Sequence, residues 1–298
     1  MITVFGSTNL DQIGTVSRLP RPGETVAGGT FSMAAGGKGA NQALAARRAG
    51  AEVRHVSGVG RDAFADLALD LLRADGVDLS AMKVVDGATG IAMIFVDGKG
   101  ENVIAVLPGA NGKMTPEDAD AALEGVSGGV MLVQQEIPQA ATGRALDLAR
   151  AQGMTAILNT APFLDSTAAI APKAAILIAN ETEFALLTGR GLAELDAAMA
   201  DWAQRHGQTV IVTLGGDGAR AVTSEGKAIA VAALPVKPVD TVGAGDTFCG
   251  YLAAGLDAGL DLEAAMQRAA VAASLACLKP GAQPAIPMAD EVAAHLGQ

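Results

Sequence analysis

Aromatic residues are scarce. One Trp, one Tyr and seven Phe make up 3% of 298 residues, although half the chain is hydrophobic. A core of that composition is filled by Ala, Val, Leu and Ile, and few rings are left on which nucleic-acid bases could stack. Basic blocks are missing as well: 21 Lys and Arg face 32 Asp and Glu, for a formal net charge of -11. An acidic chain of this kind fits neither nucleic acid nor an anionic membrane as partner. Only two cysteines occur, Cys249 and Cys277, in no C-x-x-C pair. That excludes a disulfide framework and a cysteine zinc site, and suits a reducing, cytoplasmic location. Neither cysteine has a base partner in sequence, so no thiol nucleophile is expected. The three histidines, His55, His206 and His295, show no ligand spacing and read as structural or exposed. The start of the chain lacks a basic n-region and reads as no signal peptide. The apolar run 269–278 is too short to span a bilayer.

What the chain does have is alternation. Short apolar runs at 2–5, 53–58, 130–133, 155–158, 174–178 and 210–213 read as strands. Helical patterns intervene at about 40–49, 62–74, 138–152 and 192–206, and a helix opens at 115–118. In the second helix Asp62 suits the cap, and Phe64, Leu67, Leu71 and Leu72 fall at helical spacing. Strands alternating with helices predict an α/β fold: a central, mostly parallel sheet with helices on both faces. The runs 90–96 and 102–107, joined through Asp97-Gly98, predict a hairpin. With a strand at 24–33 they make a small antiparallel β lid, drawn from about 12–34 and 87–107 of a single domain spanning 1–298. Such a sheet cannot bury both faces by itself, so it must cover the active site, a partner subunit or both.

Polar residues collect where strands end, the side on which open α/β sheets bind ligands. Asn9 and Asp11 lie in a predicted loop, 6–11, after the first strand. Glu136, Asn159, Asn180, Glu183 and Thr213 follow later strands. Asn180 and Glu183 together suit a hard cation such as Mg²⁺ beside a nucleotide. Two stretches are rich in glycine. In Gly36-Gly37-Lys38-Gly39-Ala40-Asn41-Gln42-Ala43, the serine or threonine that a P-loop needs after Gly-Lys is replaced by Gly39. The third glycine of a dinucleotide turn is replaced by Gln42. A close backbone approach to hydroxyls or phosphate remains, with Lys38 and Asn41 as donors. The second stretch, Asp240-Thr241-Val242-Gly243-Ala244-Gly245-Asp246-Thr247-Phe248, is a small-residue turn entering an apolar helix. It reads either as a capped helix or as an anion hole with a carboxylate, Asp246, placed for proton abstraction.

Together these motifs resemble the ribokinase-like, PfkB-type carbohydrate kinases. The two glycine stretches resemble that family's two signatures, Asn180-Glu181-Thr182-Glu183 its N-x-x-E magnesium motif, and Lys279-Pro280-Gly281-Ala282-Gln283-Pro284 its C-terminal cation loop. The likeness runs in order from about residue 4 to 287 and is nearest to the ribokinase branch. It implies an ATP-dependent kinase acting on the primary hydroxyl of a pentose, D-ribose first. Asn9, Asp11, Gly37, Lys38, Gly39, Asn41 and Glu136 would hold the sugar, with Ala92 and Ile94 from the lid. Asp246 would be the general base and Gly243, Ala244 and Gly245 the anion hole. Asn180, Thr213, Gly215, Gly218 and Gly245 would line the ATP site, with Glu183 acting on Mg²⁺. Asp240, Val242, Ala276, Lys279, Gly281 and Ala285 would surround a monovalent cation, K⁺ in most members. The bare antiparallel edge of the lid also suggests a homodimer through it. Three positions depart from the pattern: Ala285 replaces a frequent serine near the cation, Ala269 an Asn or His by the adenine, and Cys249 a frequent Asn. Deoxyribose, fructose or a nucleoside remain alternative acceptors, and a non-catalytic sugar-binding protein an alternative role. A nicotinamide oxidoreductase is disfavoured by the missing dinucleotide turn.

Overall fold

The computed structural model describes residues 1–296. Six parallel strands form its centre: β1 (Ile2–Phe5), β4 (Val53–Val56), β9 (Val130–Val133), β10 (Thr155–Asn159), β11 (Ile176–Asn180) and β12 (Thr209–Thr213). Two antiparallel strands, β13 (Ala219–Val222) and β14 (Ala228–Val231), close one edge. The order across the sheet is β14-β13-β12-β11-β10-β9-β1-β4. Because the central strands are covered on both faces, they read as continuous apolar runs rather than alternating ones.

Successive side chains still go to opposite layers. Val4, Leu132, Ile157, Ile178 and Ile211 join the core under α1 (Lys38–Arg48), α2 (Ala63–Ala74), α8 (Ala244–Asp257), α9 (Leu262–Ala276) and α10 (Ala289–Ala293). Phe5, Met131, Val133, Leu158, Leu177 and Val212 join the other core. That one lies under α3 (Pro116–Leu123), α4 (Gln139–Ala151), α5 (Thr167–Ile170), α6 (Glu181–Thr188) and α7 (Leu195–His206). The helices facing the first core carry Ala and Gly at their contacts, which lets them approach closely and explains how so few aromatics suffice.

A second sheet, β3-β2-β7-β8, stands over the carboxyl ends of the first. It comprises β2 (Asn9–Val16), β3 (Gly28–Gly36), β7 (Gly90–Asp97) and β8 (Asn102–Leu107). Its outer pairs, β2–β3 and β7–β8, are antiparallel, and the inner pair β2–β7 is parallel. The expected hairpin turn is closed by Asp97, whose Oδ1 accepts from the amides of Lys99 and Glu101. A short parallel pair, β5 (Gly58–Gly60) with β6 (Lys83–Val85), completes the strands.

Several expectations shift. Residues 9–11, read as loop, open β2: their polarity suits a ligand, yet their main chain pairs with residues 34–36 and 90–92 on either side. The strand expected over 24–33 begins at Gly28, after a turn in which the Glu24 amide donates to Arg21 O. In α2 the buried stripe is Ala65, Ala68, Leu69 and Leu72, while Leu67 is exposed. The helix starts at Asp62, which accepts from the Ala65 amide, and from there the Ala65-Ala68-Leu69-Leu72 stripe faces inward. Strands β13 and β14 were not anticipated.

Leu132, fully buried on β9 between β10 and β1, should tolerate truncation poorly. Leu132→Ala is expected to lower unfolding stability in urea by about 2–5 kcal/mol through transfer and cavity terms; a loss below about 1 kcal/mol would mean this core is loosely packed.

Candidate active site

The site begins where α1 is pressed against the turn between β1 and β2. Gly37 caps α1 with φ +89°, and a Cβ there would lie 2.7 Å from Asn9 N. A Cβ on Gly39 would lie 2.5 Å from Ser7 N. Only glycine permits both approaches. The packing brings the Lys38 amide to Glu136 Oε2 (3.0 Å), which also accepts from Ser7 Oγ (2.5 Å). Asn9 is buried, and its Oδ1 accepts from Asn111 Nδ2 at 2.7 Å. Asn111 also accepts from Thr8 N and donates to Thr8 O, so one buried amide fixes the turn that aims Asn9. Asn111 has no motif in the sequence; only its fold position reveals the role.

Charge is concentrated here. Burial, with Glu136 and Asp246 nearby, pushes the Asp11 carboxyl up to about 7, against the opposing pull of Lys38. Asp246 chiefly, with Glu136 and Glu183, raises the Lys38 ammonium above its usual range despite burial. Asp11 pairs across the lid with Ala92, and Ile13 with Ile94, so Ala92 and Ile94 share the sheet face of Asp11. Ala92 is buried and Ile94 half-buried.

Asp246 is the meeting point. Gly243, in the left-handed region at φ +78°, caps α8 and turns the chain so that Asp246 falls in the first helical turn. The carboxylate is 7% exposed, and each oxygen accepts an amide: Oδ2 from Asn41 Nδ2 and Oδ1 from Gln42 Nε2, both at 2.9 Å. Both donors stand on α1. Asn41 Oδ1 is buried and has no partner among the described residues. An orphaned acceptor beside a carboxylate suits a ligand hydroxyl. The expected base and an expected sugar contact are thus hydrogen-bonded to each other, which the motifs alone did not reveal.

On the far side of Gly245 lies a cleft of about 620 Å³. It is lined by Asn180, Thr213, Gly215, Gly218 and Gly245, all five residues expected at a nucleotide, together with Ala244, Thr241 and Phe248. Asn180 and Glu183 form a reciprocal cap on α6: Asn180 Oδ1 accepts from Glu183 N (2.8 Å), and Glu183 Oε2 accepts from Asn180 N (3.1 Å) and Thr160 Oγ1 (2.9 Å). Their spacing therefore has a structural use, and Glu183 Oε1 carries no protein hydrogen bond among the described residues. Ala269, expected beside the adenine, is fully buried in the core. The face of α9 that reaches the cleft is Ala270, Ala273, Ser274 and Cys277, a helical stripe one residue onward. Cys249 is buried beneath Asp246, and burial pushes its thiol well up.

Asp240 ties the two loops of the expected cation site. Its Oδ1 accepts from Val242 N (3.0 Å) and its Oδ2 from Gly281 N (2.8 Å). Among the described residues no hydrogen bond reaches the carbonyls of Val242, Lys279 or Gly281, and that of Ala276 receives only a long one from Lys279 N (3.5 Å). Carboxylate and free carbonyls suit a hard cation. Ala285 is fully buried and offers no side-chain oxygen, and the Lys279 ammonium turns away to Glu291 (3.2 Å).

Residues 1–289 match the model of the pfkB family carbohydrate kinases. The chain is 36% identical over 292 residues to ribokinase of Bacillus subtilis (strain 168), covering 98% of this chain and 97% of that one. It is 37% identical to the bifunctional ribokinase/ribose-5-phosphate isomerase A of Fructilactobacillus sanfranciscensis, of whose length it spans only 55%. The solved structure of Arabidopsis thaliana ribokinase complexed with ribose and ATP superposes with a TM-score of 0.91 at 31% identity, covering 100% and 98% of the two chains. With its fold, its glycine-capped helices and its polar strand ends, the chain belongs to the pfkB family of carbohydrate kinases.

Proposed function

We propose that this chain is an ATP-dependent ribose kinase, transferring the γ-phosphoryl of ATP to the primary hydroxyl of ribose to give ribose 5-phosphate and ADP. One observation carries the reading. Asp246, on the first turn of α8, is hydrogen-bonded to Asn41 of the polar pocket and directly follows Gly245 of the 620 Å³ cleft. A group bound on either side meets its counterpart at that carboxylate.

In this reading Asn9, Asp11, Lys38, Asn41 and Glu136 hold the sugar hydroxyls, with Ala92 and Ile94 closing over it from the lid. Asp246 takes the proton of the attacking hydroxyl, leaving the oxygen free to attack in line. The N-terminus of α8 receives the charge of the moving phosphoryl group through the helix dipole and the amides of Gly243 and Gly245, which have no partner among the described residues, while the Ala244 amide donates to Thr241 O (3.3 Å). The nucleotide occupies the cleft along Asn180, Thr213, Gly215 and Gly218. Mg²⁺, when bound with ATP, neutralises phosphate charge; Glu183, with one unengaged oxygen, is the residue here fitted to hold it through water. Asp240 and the carbonyls of Val242, Ala276, Lys279 and Gly281 are fitted to a monovalent cation such as K⁺, bound without a serine at Ala285.

The lid's outer face supports the homodimer reading. Phe31, Met33, Met93, Phe95 and Val103 alternate onto that side and are 66%, 46%, 38%, 37% and 52% exposed. A largely apolar face of that kind, interrupted by Gln12 between Met33 and Met93, is what one subunit offers another. Among the described residues no helix is long and apolar enough to cross a membrane. Together with two unpaired cysteines, this fits the cytoplasm. Deoxyribose is a second acceptor to test, because deoxyribokinase of Salmonella typhi is 34% identical over 301 residues.

A coupled ADP-release assay with ribose, deoxyribose, fructose and adenosine, with and without K⁺, should give the highest kcat/KM on ribose. A tenfold preference for any other acceptor would overturn the substrate assignment.

Asp11 makes the pocket costly to hold empty. Its carboxyl titrates at about 7 in the fold against 3.8 in a free chain, so the folded state keeps a proton that the unfolded chain releases between those values. Stability supplied by that proton is present below about pH 4 and is lost as pH rises through 7. Asp11→Asn should therefore raise urea stability at pH 8 by about 1–3 kcal/mol, with little gain at pH 4. The same change should raise the ribose KM at least tenfold. A variant no more stable than the parent at pH 8, or one with unchanged KM, would contradict the role.

A further inference from the structure

The hydrogen bonds beneath Asp246 lead to a residue that no expectation above places in the site. Gln42 is fully buried on α1. Its Nε2 donates to Asp246 Oδ1 (2.9 Å) and to Asn159 Oδ1 (3.1 Å), while its Oε1 accepts from Gln134 Nε2 (2.6 Å). Asn159 Nδ2 in turn donates to Ile178 O at 3.3 Å. The carbonyl of β11 thus sets the sense of Asn159, which sets that of Gln42, which receives Gln134. Flipping Gln42 would turn its oxygen onto two oxygens and its nitrogen onto a nitrogen. The backbone holds the distance as well. One turn along α8 from Asp246, a Cβ on Gly250 would lie 2.5 Å from Gln42 O, so α1 and α8 touch main chain to main chain beside the contact.

We propose that Gln42 is the positioning residue of the phosphoryl transfer: locked by Gln134 and Asn159, it pins one oxygen of Asp246 and fixes the direction in which the carboxylate meets the attacking hydroxyl. The inference rests on Asp246 being the base. The other pin, Asn41, still offers a free oxygen to a ligand. Gln42 offers none, because its acceptor and both amide hydrogens are engaged inside the protein. It can influence the reaction only through Asp246. Two distant strand ends, β9 with Gln134 and β10 with Asn159, thereby hold the carboxylate from below. An amide suits this task because it carries no charge at any working pH and remains a donor throughout. A carboxylate in its place would confront Asp246 with a like charge. The titratable groups that feel Asp246 from the surrounding elements are Lys38, Asp11 and Cys249.

The test is steady-state kinetics of the full chain with ribose and ATP from pH 5 to 9. Gln42→Met keeps the volume and removes the donor. It should lower kcat about 10–100-fold with the ribose KM changed less than about threefold, the signature of a misaligned general base. Gln42→Glu should in addition move the acid limb of log kcat upward by about one pH unit. Gln134→Met, which removes one of the two amides that hold Gln42 and leaves Asn159 in place, should lower kcat in the same direction by a smaller factor. Wild-type kcat and pH profile in Gln42→Met, or a loss confined to KM, would overturn the proposal. If the Gln42 variants do not fold, Gln134→Met decides: a lowered kcat at constant KM supports the lock, and parental kinetics refute it. Asp246→Asn, measured alongside, separates the two claims. If that variant is inactive while Gln42→Met is normal, only the positioning role fails; if it stays active, the reading of Asp246 as base fails first.

Discussion

Two helices begin at the same carboxylate. Helix α1 starts at Gly37 and α8 at Gly243, and the side chains of Asn41 and Gln42 reach from one to Asp246 on the other. Everything else in the molecule serves that meeting. The parallel sheet carries both helices on one face, small side chains let their main chains touch at Gly250, and the lid rises from the turn that α1 is pressed against. A buried carboxylate is expensive unless its acceptor capacity is used. Here both oxygens are taken by neutral amides, leaving further lone pairs facing the pocket.

The electrostatics around this point are frustrated in a useful way. Asp11, Glu136 and Asp246 crowd one region with Lys38 as the cation among them. Such an arrangement is poorly satisfied when empty, and a polyhydroxyl ligand can satisfy it by donating to carboxylates and accepting from the ammonium. The pocket thus gives up stability to gain affinity, as sites that must bind polar ligands commonly do.

Much of this was legible in the chain. The parallel sheet announced itself through continuous apolar runs, and the hairpin through Asp97-Gly98. The glycines at 37, 39 and 243 marked close approaches. Other features were not, for physical reasons. Residues 9–11 read as loop because their side chains serve the pocket while their main chain serves a ladder, and only the second fact makes a strand. Ala269 was misplaced by one residue, which on a helix means about a hundred degrees and exchanges cleft for core. Asn111 and Gln134 carry no local signal, and Asn159 shows only as a polar strand end, since all three act across separations of about a hundred residues. The N-x-x-E spacing hid a double use, as a helix cap first and as a candidate metal contact second.

The central claim is that Asp246 is where a proton leaves the acceptor hydroxyl. The most direct measurement pairs kcat with ribose affinity for Asp246→Asn, an isostere that still accepts from Asn41 or Gln42 through its carbonyl oxygen. The account predicts a kcat lowered about 10²–10⁴-fold, the span typical of a general base, with ribose binding by calorimetry within about tenfold of the parent. A kcat reduced less than tenfold would contradict it.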